Sequence, residues 1–394
     1  QHRLELLREA AASKPAGAAA SVAETMRSAL DGIKVVDLCI VLAGPTCGRT
    51  LAEFGADVVR IDSPHRDGVI FHTDINRGKR SLLMDLKTAE GLEIFWKLVD
   101  QADVVVQNFR RGVAERLGVG YEAVKARKPE IVYASLNTYG QVGPWANRPG
   151  HEQIAQAASG MQERYGGDGR PTLAPFAVND YGTGFMGAYG VALALLHRKK
   201  TGQGQHVDTA LAYTATMLQS LYLQEYAGKE WDEPRGQRAI GGGRLNRSYR
   251  AKDGWFFLAA RADQLEGDHG TWLAEASEAE LEGTFEPESV ADCVERLNAL
   301  GAGAYPIVSD IRTLMDDPWA QSHGLSITRD HDGQGPVTTI GPSPRLSRTP
   351  TVPGRPAPIP GADAASILGD IGMRADLDRL VAAGVIVTEG VPAR

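Results

Sequence analysis

The chain has 394 residues, and its 42 basic and 49 acidic side chains give a net charge of −7 at pH 7. A negative balance disfavours a general nucleic-acid or acidic-membrane binder, but it allows a local basic patch for a phosphate-bearing ligand. Three cysteines, Cys39, Cys47 and Cys293, make neither a disulfide framework nor a metal cluster. The sequence shows no signal-peptide pattern and no apolar run near the ~18 residues of a membrane span, so we expect a cytoplasmic protein.

The first half of the chain alternates strand and helix patterns. Residues 1–30 are Ala-rich and predict an extension or linker. Strands are predicted at 33–44, 56–62, 81–86, 103–109, 130–136 and 204–211, and helices at 46–55, 89–102, 111–128, 184–202 and 210–228. This alternation predicts an α/β fold, a doubly wound, mostly parallel, Rossmann-like sheet, in a large domain over 31–227.

The second half predicts a smaller α+β domain. Apolar periodicity disappears over 228–250, which predicts a linker with a functional loop at 241–243. Strands at 255–260 and 304–309, a helix at 288–301 and a β-hairpin at 325–341 complete a unit that we assign to 228–341. Residues 342–394 then form a Pro-rich arm and a helix over 363–384 that returns to the large domain.

Candidate catalytic groups are concentrated in residues 148–184. His151 and Glu152 stand at the head of a predicted helix, and Asp180 follows an apolar run and precedes a Gly-rich segment. We expect Asp180 at the carboxyl end of a strand, where open α/β sheets place their sites. The alternative is that Asp180 only caps the next helix.

Several enzyme classes lack their motifs in this sequence. The turn after the first strand offers Gly44 and Gly48 but no G-x-G-x-x-G, so we expect no nicotinamide cofactor. There is no G-x-S-x-G elbow for an α/β-hydrolase serine. No His, Cys and Asp cluster has metal-ligand spacing, so we expect no metal.

Six blocks in order carry a resemblance to a known family. They are GIKVVDLCIVLAGPTCGRTLAEFGADVVRID, NRGKRSLLMDLKTAEG, ADVVVQNFRRGVAERLG, GHEQIAQAASG, NDYGTG and HRKKTGQGQHVDTAL. Taken together, they closely resemble the class III CoA-transferase family, which contains formyl-CoA transferase, carnitine CoA-transferases and α-methylacyl-CoA racemase. The resemblance covers 32–215 strongly and 241–375 more loosely.

The resemblance implies a role for each matching residue. Asp180 matches the aspartate that attacks the acyl-CoA thioester, forming first an aspartyl anhydride and then an aspartyl-CoA thioester. The segment Gly241, Gly242 and Gly243 matches the family's glycine loop over the site. The positions that match CoA contacts are Leu42, Ala43, Lys87, Asn108, Phe109 and Arg116. Ser63 replaces an Arg that faces the nucleotide in many members, a contact that is either lost or supplied by Arg66.

His151 leaves the reaction open. Transferases often have Tyr before the acidic residue, whereas the racemase branch resembles this chain in pairing His with the Asp for proton transfer. The racemases also carry a further Glu, and Ala262 or Asp263 stands at that place here. The resemblance thus implies a transferase of CoA between an acyl-CoA and a carboxylic acid, with a racemase or epimerase as the alternative. A third reading is an inactive CoA-binding half of a fused protein.

The resemblance also implies a quaternary structure. Family members form homodimers in which two chains thread each other like linked rings. The Pro-containing segments 228–240 and 342–361 suit such wrapping in length and composition.

Overall fold

The computed structural model describes residues 28–66, 71–230, 235–237, 239–265, 267–388 and 390. The predicted extension at 1–30 lies almost entirely outside these residues, as does part of the predicted linker at 228–240. The described chain forms sheets of seven, four and two strands. The α/β class with a mostly parallel central sheet is confirmed.

The seven-stranded sheet is the main structural element. Its strands are β1 (Lys34–Asp37), β2 (Asp57–Asp62), β3 (Arg80–Met84), β4 (Val104–Gln107), β5 (Val132–Asn137), β6 (Gln205–Ala210) and β13 (Ile386–Val387). The helices between them are α1 (Ala43–Glu53), α2 (His72–Ile75), α3 (Ala89–Gln101), α4 (Val113–Arg116), α5 (Tyr121–Arg127), α6 (Glu152–Ala158), α7 (Met161–Gly166) and α8 (Val178–Thr201).

The strand order places an opening at the centre of this sheet. The order is β13-β3-β2-β1-β4-β5-β6, with β1 to β6 parallel and β13 antiparallel to β3. The winding direction reverses between β1 and β4, and a crevice forms at such a reversal, beyond the carboxyl ends of the strands.

The interior strands form because most of their residues are apolar and are buried on both faces. The interior strands β1, β4 and β5 are almost wholly buried, and helices pack on both sides of the sheet. Near-continuous valine runs are typical of parallel strands in this position. Helix α3 begins as predicted, because the Thr88 hydroxyl accepts a 3.0 Å hydrogen bond from the Gly91 N–H.

Helix α8 packs very closely on α1. A Cβ at Gly184 would lie 2.7 Å from the Ala43 carbonyl oxygen, and one at Gly187 would lie 2.5 Å from Leu136. Small residues at these positions therefore allow the close packing of α8. Among the described helices, even the 24-residue α8 lacks an apolar stretch of the length that a bilayer requires.

The second half forms two smaller sheets. The four-stranded sheet contains β7 (Gly241–Gly243), β8 (Asn246–Ala251), β9 (Gly254–Ala259) and β10 (Gly303–Pro306), and the hairpin contains β11 (Ser326–His331) and β12 (Gly335–Ile340). The remaining helices are α9 (Leu211–Leu218), α10 (Gly267–Glu275), α11 (Glu278–Phe285), α12 (Val290–Ala299), α13 (Pro318–Ser322), α14 (Ala364–Asp370) and α15 (Leu377–Ala382).

Three predicted segments differ from the structure. Residues 228–250 are not only a linker, because β7 and β8 lie within them. Strand β8 buries Arg247, Tyr249 and Ala251 in alternation, and the arginines hide that period in the sequence. The final helix is two helices, since Gly372 has a φ of 72° between them. The helix predicted at 210–228 ends at Leu218.

Candidate active site

A cavity of about 590 Å³ lies at the carboxyl ends of β1, β4 and β5. The segments that follow these three strands supply much of its wall, as expected where the winding of the sheet reverses. The lining residues are Ile40, Val41, Leu42, Ala43, Arg66, Asn108, Phe109, Arg110, Val113, Leu136, Asn137, Thr138, Ala146, Arg148, Pro149, Gly150, His151, Ile154, Asp180 and Leu211. Among these residues Asp180 carries the one carboxylate.

Asp180 reaches this cavity from a helix and not from a strand. It lies in the first turn of α8, three residues after Ala177 at the N-cap, so both the strand-end expectation and the capping alternative are wrong. Pro171 and Pro175 precede the helix, and proline cannot donate to a strand ladder, which explains why this apolar segment forms no strand. The glycines after Asp180 belong to the helix, where they allow the approach of α1.

Glu152 fixes the first turn of α8. Its carboxylate is 4% exposed and accepts hydrogen bonds from the Asp180 backbone N–H at 2.7 Å and from the Asn179 side chain at 2.9 Å. The Gln156 amide donates to it as well, at 2.7 Å. A buried carboxylate at a helix N-terminus satisfies free N–H groups and interacts favourably with the helix dipole. Glu152 therefore restrains the backbone of Asp180, and it does not line the cavity.

This arrangement changes the acidity of Asp180. Burial, with a contribution from the nearby Glu152 carboxylate, raises the pKa of Asp180 to about 7. A carboxylate with such a pKa is partly protonated at neutral pH and is a stronger base and nucleophile than an exposed one. Perturbed carboxylates in clefts are candidates for catalysis.

His151 lies at the mouth of the same cavity. It is the N-cap residue of α6, its side chain is exposed, and its Nδ1 lies 2.7 Å from the Gln153 side-chain oxygen. That contact engages one of the two ring nitrogens of the imidazole. The sequence prediction placed His151 near Asp180, and the structure brings both side chains to one cavity.

Tyr181 anchors the helix turn on its other side, a contact that the sequence did not indicate. Its hydroxyl donates a 2.9 Å hydrogen bond to Asp74, which also accepts hydrogen bonds from Arg49 at 2.8 Å and from Arg77 at 2.7 Å. Arg77 in turn pairs with the buried Glu53. Burial and the negative charge of Asp74 raise the pKa of Tyr181 to about 12, so the phenol remains a donor. Sequence spacing gives no sign that residues so far apart meet.

The residues predicted to contact CoA separate into two groups. Leu42, Ala43, Asn108 and Phe109 line the cavity, whereas Lys87 and Arg116 do not. The exposed Lys87 follows β3, and the exposed Arg116 ends α4, in positions that the cavity does not reach.

Three other arginines supply positive charge at the cavity. Arg66, Arg110 and Arg148 line it, and Arg148 is held with its guanidinium carbon 4.8 Å from the centroid of the Trp145 ring. Arg66, which the sequence suggested as a substitute for the arginine missing at Ser63, is one of these three residues. A usable sequence signal existed for Arg110, because it follows the end of a buried strand in the motif NFRRG.

The glycine segment lies apart from this cavity. Gly241 and Gly243 belong to β7 and face a separate depression of about 350 Å³ that also contains Arg247 and Glu278. Gly241 has a φ of 158°, and a Cβ there would lie 2.2 Å from the Asn246 carbonyl oxygen, so the close strand contact requires glycine. Within the described part of one chain, Asp180 and this segment do not share a cavity.

Two of the cysteines lie in the core near this site. Cys39 and Cys47 are fully buried, and burial raises the pKa of both thiols, so they pack as small apolar residues. Over the ranges that the structure describes, no three His, Cys, Asp or Glu side chains are grouped as metal ligands.

Comparison with known proteins identifies the family. Residues 30–364 match the model of CoA-transferase family III. A succinyl-CoA:mesaconate CoA-transferase from Haloarcula hispanica is 30% identical over 89% of this chain and 98% of its own length. The human alpha-methylacyl-CoA racemase is 30% identical over 87% and 94% of the two chains. A CAIB/BAIF family protein from Brucella suis has a TM-score of 0.73 at 27% identity, over 88% of this chain and 100% of that one.

The fold and the cavity define an α/β protein with a carboxylate, Asp180, at a central crevice of its parallel sheet. The chain belongs to CoA-transferase family III. The resemblance read from the six sequence blocks is confirmed.

Proposed function

We propose that this enzyme moves CoA from an acyl-CoA donor to a carboxylic acid acceptor, with Asp180 as the nucleophile. The observation that carries the proposal is the position of Asp180 as the lone carboxylate of a cavity lined by three arginines. CoA has three phosphates, and arginine guanidinium groups suit phosphate oxygens in geometry and charge. The apolar walls around Ile40, Leu136 and Ile154 suit the pantetheine and acyl parts.

The proposed reaction proceeds through two covalent species on Asp180. The carboxylate attacks the thioester carbonyl, the C–S bond breaks, and a mixed anhydride and CoA thiolate form. The thiolate attacks the aspartyl carbonyl of the anhydride, which releases the donor acid and leaves an aspartyl-CoA thioester. Attack by the acceptor carboxylate expels the thiolate again and gives a second anhydride. The thiolate then takes the acyl carbonyl and releases Asp180 as a carboxylate.

Each attack develops an oxyanion that needs hydrogen-bond donors. The backbone N–H groups of Leu42 and Ala43, at the start of α1 beside the cavity, have no acceptor within the described part of the chain. We propose them as donors. The N-terminal end of α1 adds a favourable dipole for negative charge.

We also propose that a second subunit contributes to the Asp180 cavity. The proposal is a homodimer of threaded chains in which the 241–243 segment of a second copy covers the Asp180 cavity. It is supported by the separation of that segment from the cavity within one chain. A stripe of exposed apolar residues on α8, Phe185, Tyr189, Leu193 and Leu196, offers a surface for the second copy.

Racemisation is the second candidate, and the shared cavity of His151 and Asp180 favours it. Both groups could exchange a proton at the carbon next to a thioester carbonyl. The extra acidic residue of the racemases has no equivalent at this cavity in the described chain. Asp263, at the comparable place, is exposed and pairs with Arg261 at 2.9 Å.

Mass spectrometry separates the two reactions. The protein is mixed with a panel of acyl-CoA thioesters, starting with succinyl-CoA, and treated with hydroxylamine or borohydride. A hydroxamate or a reduced adduct on Asp180 supports transfer, whereas deuterium entry at the α-carbon from D₂O without an adduct supports racemisation. Asp180→Ala should abolish either activity, and full turnover by that variant would refute the central role of Asp180.

A further inference from the structure

Val41 has an unusual backbone conformation beside the cavity. Among the described residues it is the one non-glycine with a positive φ, at 64°. This left-handed conformation is a true outlier for a β-branched residue, because the side chain crowds the backbone. Val41 lies in the turn between β1 and α1, and its side chain is 48% exposed at the cavity. Such strain persists only when neighbouring contacts enforce it.

Asn108 supplies those contacts. Its side-chain oxygen accepts a 2.8 Å hydrogen bond from the Ile40 N–H, and its side-chain nitrogen donates a 2.7 Å hydrogen bond to the Ile40 carbonyl oxygen. Both polar ends of the amide are therefore engaged with the peptide groups that flank Ile40. Gly44 closes the turn so tightly that a Cβ there would lie 2.5 Å from the Cys39 sulfur and 3.0 Å from the Asn108 Cβ.

The strained turn sets the direction of the residues after it. Leu42 and Ala43 follow Val41 directly and carry free backbone N–H groups into the cavity wall. If Val41 relaxed to an extended conformation, these N–H groups would turn away from their present positions. The amide of Asn108 therefore acts on the cavity through the turn, although family resemblance had suggested a direct contact with CoA.

We propose that Asn108 is a positioning residue that holds Val41 in its left-handed conformation, and thereby aims the Leu42–Ala43 backbone at the reacting thioester. The catalytic part of this inference rests on the proposed transferase function. The structural part does not, because the coupling between Asn108 and Val41 exists without turnover.

A double-mutant cycle tests the inference. Asn108→Ala should lower kcat about tenfold in the wild-type background, since a small displacement near reacting atoms is costly. Glycine adopts the left-handed conformation without strain. The variant Val41→Gly/Asn108→Ala should therefore retain kcat within about threefold of Val41→Gly alone. Val41→Asn keeps a side chain and tolerates a positive φ, so it should give the same rescue.

A control variant is available where α12 meets the four-stranded sheet. Asn298 makes the same pair of hydrogen bonds, at 3.1 and 2.8 Å, with the backbone of Ala304, where no residue is strained. Asn298→Ala should lower Tm but leave kcat per folded molecule unchanged. This variant corrects for the general cost of removing a side-chain amide that bonds to both backbone groups of one residue.

The outcomes distinguish the alternatives. If Asn108→Ala lowers kcat equally with Val and with Gly at position 41, Asn108 acts by contact with the bound molecule and the inference is overturned. The Tm loss caused by Asn108→Ala should be about 3 °C larger in the Val41→Gly background, because removal of Asn108 relieves backbone strain only when valine is present, and equal losses would also overturn the inference. If Asn108→Ala does not fold, Asn108→Asp, which loses the donor to the Ile40 carbonyl, takes its place in the cycle.

The inference and the proposed function can fail separately. A wild-type protein without turnover or adduct, but with the Tm coupling between positions 41 and 108, would refute the proposed function and leave the positioning role of Asn108 intact.

Discussion

At the scale of single residues, the neighbouring carboxylates of Glu152 and Asp180 have different roles because their surroundings differ. Glu152 is buried, and its carboxylate accepts three hydrogen bonds, from the Gln156 and Asn179 side chains and the Asp180 backbone. Asp180 faces the cavity and feels both burial and the charge of Glu152, which raise its pKa to about 7. One carboxylate therefore holds the helix turn, and the other is left available for reaction.

The activity of the enzyme should follow the ionisation of Asp180. Since the proposed nucleophile is the carboxylate, kcat/KM should rise with pH through a midpoint near 7, the pKa in the free enzyme. Glu152→Gln removes the neighbouring negative charge, so the midpoint should move to lower pH. The measurement is kcat/KM for an active acyl-CoA between pH 5 and 9. The exposed Glu163→Gln on α7 serves as the control and should leave the midpoint in place.

The same raised pKa affects folding. A carboxyl group whose pKa is higher in the folded state than its ordinary 3.8 favours folding when protonated. Its contribution is fully present below about pH 3.8 and is lost as the pH rises through about 7. Asp180→Asn keeps the neutral form at every pH, so the variant should be more stable than wild type at pH 8 and gain little at pH 4. Denaturant unfolding at the two pH values measures this, and an equal gain at both would contradict the assignment.

The sequence indicated much of the site at this scale, but not its electrostatics. Resemblance in the NDYGTG and GHEQ blocks brought Asp180 and His151 together correctly. The sequence predicted that Lys87 and Arg116 contact CoA, and this stays a prediction. Of the basic residues compared, Arg110 and Arg148 line the cavity, whereas Lys87 and Arg116 do not. Whether a surface arginine points into a crevice depends on turn geometry after each strand, which composition and spacing do not encode.

At the scale of elements, α8 carries the site because two neighbours hold its first turn. Glu152 binds the turn from α6, and Asp74 binds Tyr181 from α2. The sequence predicted α8 only from residue 184, whereas the helix begins at Val178. Asn and Asp are weak helix formers in isolation, and here the hydrogen bonds to Glu152 overcome that preference.

Loss of the Tyr181 hydroxyl should misplace Asp180. Tyr181→Phe removes the hydrogen bond to Asp74 but keeps the ring under Arg49, whose guanidinium carbon lies 5.7 Å from the ring centroid. We expect kcat to fall about tenfold while the Kd for free CoA stays within about twofold, because the turn loses a restraint and no CoA contact is removed. Steady-state kinetics and calorimetry measure the two quantities. Tyr226→Phe, at an exposed site, should change neither.

The close contact between α1 and α8 should make Gly184 irreplaceable. Gly184→Ala places a Cβ 2.6 Å from the Thr46 Cβ and 2.7 Å from the Ala43 carbonyl oxygen, so the helices must separate. Overpacking of this kind costs about 1–3 kcal/mol of unfolding free energy, measured by denaturant titration. Gly283→Ala, in α11 with nothing within 4 Å, should instead raise stability by about 0.4–1 kcal/mol. Equal effects of the two substitutions would show that the contact is looser than described.

At the scale of the whole molecule, periodicity and family blocks predicted the first half better than the second. The parallel sheet follows from valine-rich strands that are buried on both faces. The glycine-rich β7 has too little side-chain signal to be predicted as a strand, and strand β13 is only two residues long. The proposed division at 31–227, 228–341 and 342–394 stays a prediction, although β13 does pair with β3 and so returns the C-terminal segment to the large sheet.

The apolar stripe on α8 offers a test of the proposed homodimer. Leu193 is 47% exposed and lies between Tyr189 and Leu196, so a lysine there would place a charge within the proposed interface. In a monomer the same lysine would face solvent and should not disturb the fold. Leu193→Lys should therefore shift the protein from dimer to monomer or aggregate in gel filtration with light scattering. If the 241–243 segment of the second copy covers the Asp180 cavity, the adduct on Asp180 should disappear in the same fractions. Val381→Lys, on α15 and 38% exposed, is the control that should stay dimeric and active. A wild-type protein that is monomeric and still forms the adduct would show that one chain completes the site alone, and that the glycine segment acts elsewhere.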